Sequence, residues 1–176
     1  MNIRITLWNI LGFGVLPAWL AAGGADWLCH RRARIESTSG PRESALHIVL
    51  FLEIAIPALL ALWLKINAAL LALMALGVLA HMVTSWWDTT FAQPRRHIAP
   101  IEQQVHSWLE MLPLFALLLV GVLHAEQLDA PEWALRVREQ AAPRAWAVAL
   151  PAAFAAGFAV ICEELLRGIR ATRATR

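Results

Sequence analysis

Five long runs of apolar residues, separated by short polar segments, cover most of the chain. They occupy residues 5–28, 45–64, 67–87, 102–123 and 145–166. Each run is long enough to cross a lipid bilayer as a helix, which takes about 17–25 residues. The pattern predicts an all-α membrane protein, in which five transmembrane helices form a bundle and residues 1–176 make a single domain.

The composition agrees with this prediction. Hydrophobic residues make up 59% of the chain and charged residues 16%, whereas soluble domains have about 45–50% and about 25%. The spans leave no segment long enough for a soluble domain of ordinary size, and the sequence has no glycine-rich nucleotide-binding loop. We therefore expect an integral membrane protein without a nucleic-acid partner.

Basic residues are distributed unequally between the two ends of the predicted bundle. Ten lie at the end that holds the C-terminal tail, and five lie at the other end. Because basic residues favour the cytoplasmic side, we expect the N-terminus outside and the C-terminus in the cytoplasm, as in a bacterial-type inner membrane. The ten are Arg31, Arg32, Arg34, Arg42, Arg95, Arg96, Arg167, Arg170, Arg173 and Arg176.

Two segments admit a further interpretation. The outer segment, residues 125–143, has Asp129 as a candidate cap and predicts a short interfacial helix. A cleaved signal peptide over residues 1–25 is an alternative to the first span. It is disfavoured because the apolar run exceeds the usual core of about 7–15 residues and the basic cluster follows the run.

Carboxylate and imidazole side chains recur four residues apart near the ends of the spans. Residues at this spacing share one face of a helix, and Pro100 can open the helix that carries the longest series. The series are Glu102/His106/Glu110, Asp26/His30, Glu43/His47 and, two turns apart, His81/Asp88. Each series therefore forms a polar stripe on an otherwise apolar span.

The predicted topology brings these stripes to the cytoplasmic end of the bundle, since four spans begin or end there. An ionisable group at the centre of a membrane helix costs about 2.5–3.5 kcal/mol, and neighbouring carboxylates also repel one another. Two divalent cations would offset these charges. We therefore interpret the following residues as metal ligands: Asp26, His30, Glu43, His47, His81, Asp88, Glu102, His106 and Glu110.

The ligand types narrow the choice of metal. Imidazole and carboxylate without thiolate suit iron, zinc or manganese, and we expect two divalent ions with iron favoured. Carboxylate-rich helical bundles are the usual di-iron scaffold. The arrangement also resembles membrane hydroxylases and desaturases, which hold two metals at a cytoplasmic histidine-rich site, although their His-x-x-His-His boxes are absent here.

These features predict a di-metal oxidoreductase that hydroxylates or desaturates a lipid-like substrate and receives electrons from a donor. Glu110, at the floor of the predicted site, and His97, in the loop before the fourth span, are the candidate catalytic residues. Arg95 and Arg96 are candidates for binding an anionic head group of the substrate.

Other functions remain open on the sequence alone. A zinc-dependent intramembrane lipid hydrolase would need three ligands and a glutamate base, such as Glu110 or Glu43. A haem b electron carrier would use two histidines as axial ligands. A metal transporter or a non-enzymatic subunit is a further alternative. These patterns assign no role to Glu53, Glu163 or Glu164.

Overall fold

Five long helices, joined by short connections, make up most of the computed structural model, which describes residues 2–174. They are α1 (Ile3–Ala33), α2 (Pro41–Leu60), α3 (Ala68–Ala92), α4 (Pro100–Leu123) and α5 (Arg144–Ala174). All five are long and apolar enough to cross a membrane, and residues 2–174 contain no β-strand. The prediction of an all-helical protein with five spans is confirmed. Arg176, counted above among the basic residues, lies outside the described residues.

Local sequence explains where the helices begin and end. Pro41 and Pro100 occupy the first positions of α2 and α4, where a missing amide hydrogen costs little. The side chain of Asn67 caps α3 by accepting an amide hydrogen bond from the first turn. Arg34 ends α1 in the left-handed conformation, with φ 51°, and a 3-10 turn, Ile35–Ser37, leads on towards α2.

The first helix changes its winding near the middle. It is α-helical over Ile3–Asn9 and Leu16–Ala33, and π-helical over Ile10–Val15. This stretch ends two residues before Pro17, which cannot donate an amide hydrogen and crowds the carbonyl one turn earlier. The wider turn accommodates the proline, and α1 continues as a single span.

The five helices close into a ring. α1 packs against α4, α4 against α3, α3 against α2, and α2 against α5, which contacts α1 again. The short connection between α2 and α3 makes these two helices an antiparallel hairpin. The ring gives every helix two neighbours and an inward face, on which the polar stripes can meet.

Two glycines of α5 allow this helix to approach α2 closely. A Cβ atom at Gly157 would lie 2.9 Å from Cε2 of Phe51, and one at Gly168 would lie 3.2 Å from the backbone nitrogen of Pro41. Glu164 lies between the two glycines at spacings of seven and four residues, so the three share one face of α5. The close packing therefore carries Glu164 into the interior of the bundle.

Burial is inverted relative to a soluble protein. Leu76 and Val83 of α3 are 62% and 64% exposed, whereas Glu43, Glu102 and Glu164 are 0%, 1% and 3% exposed. Hydrocarbon can surround apolar side chains, but it cannot solvate charges. The chain is an integral membrane protein by this pattern, with its ionisable groups enclosed by the helices.

The segment between α4 and α5 differs from the predicted interfacial helix. It contains one helical turn, Glu126–Asp129, and residues 130–143 are not helical. The amide of Lys65 donates to the carbonyl of Arg136 at 2.8 Å, and the amide of Arg138 donates to the carbonyl of Trp63 at 2.8 Å. The backbone of this segment is therefore satisfied by the α2–α3 connection, and not by a helix of its own.

Candidate metal centre

Three histidine rings meet where α1 ends and α2 and α4 begin. His30 and His47 are stacked, with ring centroids 4.5 Å apart and planes 9° from parallel. The ring of His106 lies across that of His30, at 6.1 Å and 69°. The meeting of these rings follows from the topology, because each histidine lies on an inward stripe at the same end of the bundle.

One carboxylate, Glu164 of α5, orients two of these rings. Its oxygens lie 2.9 Å from Nδ1 of His30 and 2.6 Å from Nδ1 of His47. Each ring uses Nδ1 for this hydrogen bond and directs Nε2 away from the carboxylate. Metal-binding histidines almost always have their second nitrogen held in this way, which fixes the tautomer and the direction of the ring.

The Nε2 atoms face other carboxylates. Oδ1 of Asp26 lies 3.4 Å from Nε2 of His30 and 3.0 Å from Nε2 of His106. Oε1 of Glu102 lies 3.4 Å from Nε2 of His30. Asp26, His30 and His106 thus offer three ligand atoms that lie within 4.8 Å of one another.

A second set of ligand atoms adjoins the first through the stacked rings. Oδ2 of Asp88, at the end of α3, lies 3.5 Å from Nε2 of His47. His30, Glu43 and His47 also offer ligand atoms within 4.8 Å of one another. The two sets together draw on α1, α2, α3 and α4, with Glu164 of α5 behind the rings.

These close approaches lack hydrogen-bond geometry. Nε2 of His30, Nε2 of His47 and Oδ1 of Asp26 are buried without a hydrogen-bond partner in the described part of the chain, although such atoms are nearly always satisfied. Two atoms bound about 2.1 Å from one metal ion lie about 3.0 Å apart at a right angle and about 3.4 Å apart at the tetrahedral angle. The separations of 3.0 and 3.4 Å around Asp26 fit that spacing.

Arg96 closes the site from the loop between α3 and α4. Its guanidinium donates to Glu43 at 2.6, 3.0 and 3.2 Å and to Glu102 at 2.5 Å. Burial opposes the charge, but the hydrogen bonds to Glu43 and Glu102 outweigh it and raise the pKa of Arg96 above its ordinary value. Arg96 therefore holds two carboxylates in place as a permanent cation.

The charges of the site do not balance within the protein. Five buried or half-buried carboxylates face one guanidinium, which leaves a formal charge of −4 while the histidines are neutral. The carboxylates are Asp26, Glu43, Asp88, Glu102 and Glu164. Uncompensated charge in a low-dielectric interior is costly, and two divalent cations would bring the total to zero.

Two predicted ligands lie in a separate, deeper cluster. Nδ1 of His81 donates to the carbonyl of Leu50 at 3.0 Å, and Glu110 accepts a hydrogen bond from Ser85. Beside them, Glu53 accepts from a threonine of α3 at 2.7 Å. His81 precedes Asp88 by two turns, or about 10 Å along the helix, so the two residues lie at different depths.

The other predicted residues have different surroundings. His97 is exposed in the α3–α4 loop. Arg95 is also exposed; its guanidinium lies 3.8 Å from the ring centroid of Phe91 and donates to the carbonyl of that residue at 2.5 Å. Of the residues predicted as ligands, the structure brings together Asp26, His30, Glu43, His47, Asp88, Glu102 and His106.

Sequence reasoning left Glu164 without a role, although it contacts two of the three histidines. Its neighbour Glu163 points elsewhere and accepts hydrogen bonds from Trp27 and Arg31 at 3.0 and 2.9 Å. Two glycines in the sequence could have indicated its position, because Gly157 and Gly168 mark the packed face of α5 on which Glu164 also lies.

Comparisons with known proteins give no further guide. No protein-family model, curated protein or solved structure matches the chain.

Proposed function

We propose that this protein is a membrane-embedded oxidoreductase that binds two divalent metal ions and oxidises a lipid-like substrate by hydroxylation or desaturation. The N-terminus lies outside and the C-terminus and the site lie on the cytoplasmic side of a bacterial-type inner membrane. The support for this orientation is the excess of basic residues at the end of the bundle that holds the site.

The observation that carries the proposal is the pair of stacked histidines, each fixed through Nδ1 by Glu164 and each with an unpartnered Nε2. Protonated rings would be expected to satisfy their Nε2 hydrogens with the nearby carboxylates. Neutral rings with a free Nε2 lone pair are instead prepared to bind a cation, as metal-ligating histidines are.

The donor set favours iron over other ions. Asp26, His30 and His106 would hold one ion, and His47 and Asp88 would hold the other. Glu43 and Glu102, which Arg96 also holds, lie beside these residues. Imidazole and carboxylate donors without sulfur suit iron, with zinc or manganese as alternatives. Two iron ions bound here would supply the chemistry of dioxygen activation, as in other carboxylate-rich helical bundles.

The reaction takes dioxygen, two electrons and two protons. In hydroxylation, one oxygen atom enters a C–H bond and the other leaves as water; in desaturation, two hydrogens are removed from the chain and both oxygen atoms leave as water. The electrons come from a separate reductant on the cytoplasmic side. Asp26 and His106 are more exposed than the rest of the site, at 16% and 15% of their side chains, so substrate approaches between α1 and α4.

The surrounding residues prepare this site. Glu164 sets the direction of two rings, and Arg96 holds Glu43 and Glu102 as anions. Because Nε and Nη2 of Arg96 both donate to these carboxylates, we assign it to the site and not to a substrate head group. Burial of Glu43 and Glu102 to 0% and 1% exposure excludes bulk water from the inner part of the site.

A single-zinc hydrolase is the second candidate, supported by the compact group of Asp26, His30 and His106. Three protein ligands and a bound water are the usual catalytic zinc site. The glutamates expected to serve as its base are engaged elsewhere, since Glu43 is held by Arg96 and Glu110 by Ser85. A haem is less well supported, because the 4.5 Å stack of His30 and His47 leaves no space for a macrocycle between them.

The oxidoreductase is tested with purified protein in nanodiscs made from bacterial lipids. The chelator-stripped protein is loaded anaerobically with Fe(II), then given a chemical reductant and oxygen, and the lipids are analysed by mass spectrometry. We expect lipid products that gain one oxygen or lose two hydrogens, with oxygen uptake to match. Iron-loaded, folded protein that yields neither product, alongside lipid hydrolysis by the zinc-loaded form, would favour the hydrolase.

A further inference from the structure

A large cavity lies towards the other end of the bundle, away from the histidine cluster. Its volume is about 930 Å³, near the upper end of the range of about 300–1,000 Å³ that is typical of small-molecule sites. Apolar side chains from all five helices form its walls, including Trp8, Ile54, Met74, Ala116 and Phe154. It therefore offers a long, largely apolar and partly open chamber between the helices.

The mouth of the cavity is polar and carries two arginines without carboxylate partners. Arg138 donates to the carbonyls of Ala61 and Gln140. Neither Arg4 nor Arg138 forms an ion pair within residues 2–174. Both side chains line the cavity, so two guanidinium groups are left to face its opening.

The other charges at the mouth largely offset one another. Glu132 pairs with Lys65 and with Arg136, each at 2.7 Å, and Glu126 lies 3.5 Å from His124. The hydrogen bond from Lys65 is the main cause that lowers the pKa of Glu132, so this residue stays ionised and paired. Glu139 is the remaining acid in the lining and is exposed.

The pKa of His124 responds to the two arginines that lack carboxylate partners. Burial is the main cause that lowers its pKa; Glu126 opposes the shift, while Arg4 and Arg138 lower the pKa further. A neutral His124 leaves the positive charge at the mouth to the arginines. An anion that enters the mouth would therefore meet two cations with no competing carboxylate in contact with them.

The depth of the cavity suits a hydrocarbon chain. It reaches from Arg4 to Trp19 along α1, which is about 22 Å at 1.5 Å per residue. Its inner end is closed by an aromatic cluster in which the rings of Trp19, Phe51 and Phe154 lie 5.4 to 5.9 Å apart. Phe51 lies one turn beyond His47 on α2, so this cluster separates the cavity from the metal centre.

We infer that the cavity binds an anionic amphiphile, with its carboxylate or phosphate between Arg4 and Arg138 and its acyl chain along the apolar walls as far as Trp19 and Phe154. The chain is excluded from water, and the head group forms charge-assisted hydrogen bonds at the mouth. This binding site does not depend on the proposed metal chemistry, and metal-free protein would retain it.

Binding is measured with purified protein in nanodiscs of uncharged, zwitterionic lipid. The probes are a radiolabelled long-chain fatty acid, an anionic phospholipid and an uncharged monoacylglycerol of matched chain length. We expect about one anionic probe per chain and at least tenfold weaker binding of the uncharged probe, since each charge-assisted hydrogen bond contributes roughly tenfold or more. A preference for the fatty acid or for the phospholipid identifies whether the natural ligand carries a carboxylate or a phosphate.

Variants separate the head-group and chain contacts. The double variant Arg4→Ala/Arg138→Ala should weaken the anionic probe about ten- to hundredfold, while Arg95→Ala, at the other end of the bundle, should not change it. Ala116→Phe should reduce occupancy by filling the cavity; Ala72→Phe, on the exposed face of α3, is the matched control. Equal binding of charged and uncharged probes, or unchanged binding in the folded double arginine variant, would overturn the inference and show that bulk lipid fills the cavity.

Discussion

Replacing Glu164 with glutamine distinguishes two interpretations of the histidine cluster, a metal centre and a metal-free network of ion pairs. The carboxylate accepts from Nδ1 of both His30 and His47, and glutamine has nearly the same shape but only one accepting oxygen. The amide nitrogen would face one of the two rings as a donor. That ring would have to move its proton to Nε2 in order to accept at Nδ1, and it would lose the lone pair that binds the metal.

The size of the effect follows from these contacts. Losing the hydrogen-bonded partner of a ligating histidine weakens metal binding about 10- to 100-fold. One ring keeps its acceptor in Glu164→Gln, so we expect one ion to be lost or weakened by this factor while the other is retained. Glu163→Gln is the matched control, since Glu163 is bonded to Trp27 and Arg31 outside the site.

The assay is titration of chelator-stripped protein in detergent with Fe(II) or Mn(II) against a competing chelator, together with the metal content of protein as purified. Circular dichroism and size-exclusion profiles establish that each variant is folded. If folded Glu164→Gln binds both ions within about twofold of the parent affinity, Glu164 does not position metal ligands, and the assignment of the two histidines fails.

Three further outcomes are expected. His81→Ala should keep the full metal content in elemental analysis, whereas His30→Ala should lose most of it; equal losses would place His81 in the centre. Arg96→Ala, which leaves two buried carboxylates unpaired, should lower stability by about 3–5 kcal/mol in thermal unfolding, and exposed Arg95→Ala should change it by less than about 0.5 kcal/mol; similar unfolding temperatures would contradict this. Chelator treatment should lower the unfolding temperature of the parent protein but not that of His30→Ala, because bound metal stabilises the folded state.

The number of spans could be predicted from the sequence because hydrophobic length alone decides it. The stripes of Asp26/His30 and Glu43/His47 also follow from helical spacing, and alternating spans bring them to one end. The structure adds the order of the helices around the ring. That order depends on side-chain packing between helices, which hydropathy does not describe.

The depth of a residue within the membrane explains most of the differences between the predicted ligands and the residues that meet in the structure. His81 and Glu110 lie on inward faces, as the spacing indicates, but about 6 to 10 Å further along their helices than Asp88 and His106. Each therefore finds a nearer partner, the carbonyl of Leu50 or the hydroxyl of Ser85. A spacing pattern fixes the face of a helix more firmly than the level at which two helices meet.

The surroundings of loop residues could not be predicted from the sequence. Arg95 and Arg96 are adjacent and chemically equal in the sequence, yet one is exposed and the other is buried between Glu43 and Glu102. Only the path of the α3–α4 connection distinguishes them. Glu164 was missed because its partners come from other helices, although the neighbouring glycines of α5 mark the face on which it lies.

The metal content of the purified chain, measured by mass spectrometry with X-ray absorption at the metal edge, decides whether the histidine cluster is a metal centre. We expect two divalent ions per chain, with iron predominant, bound only by nitrogen and oxygen atoms. A folded protein that is isolated without metal, and that takes up none when supplied with Fe(II), Mn(II) or Zn(II), would show that the histidines and carboxylates form a network of hydrogen bonds and ion pairs and nothing more.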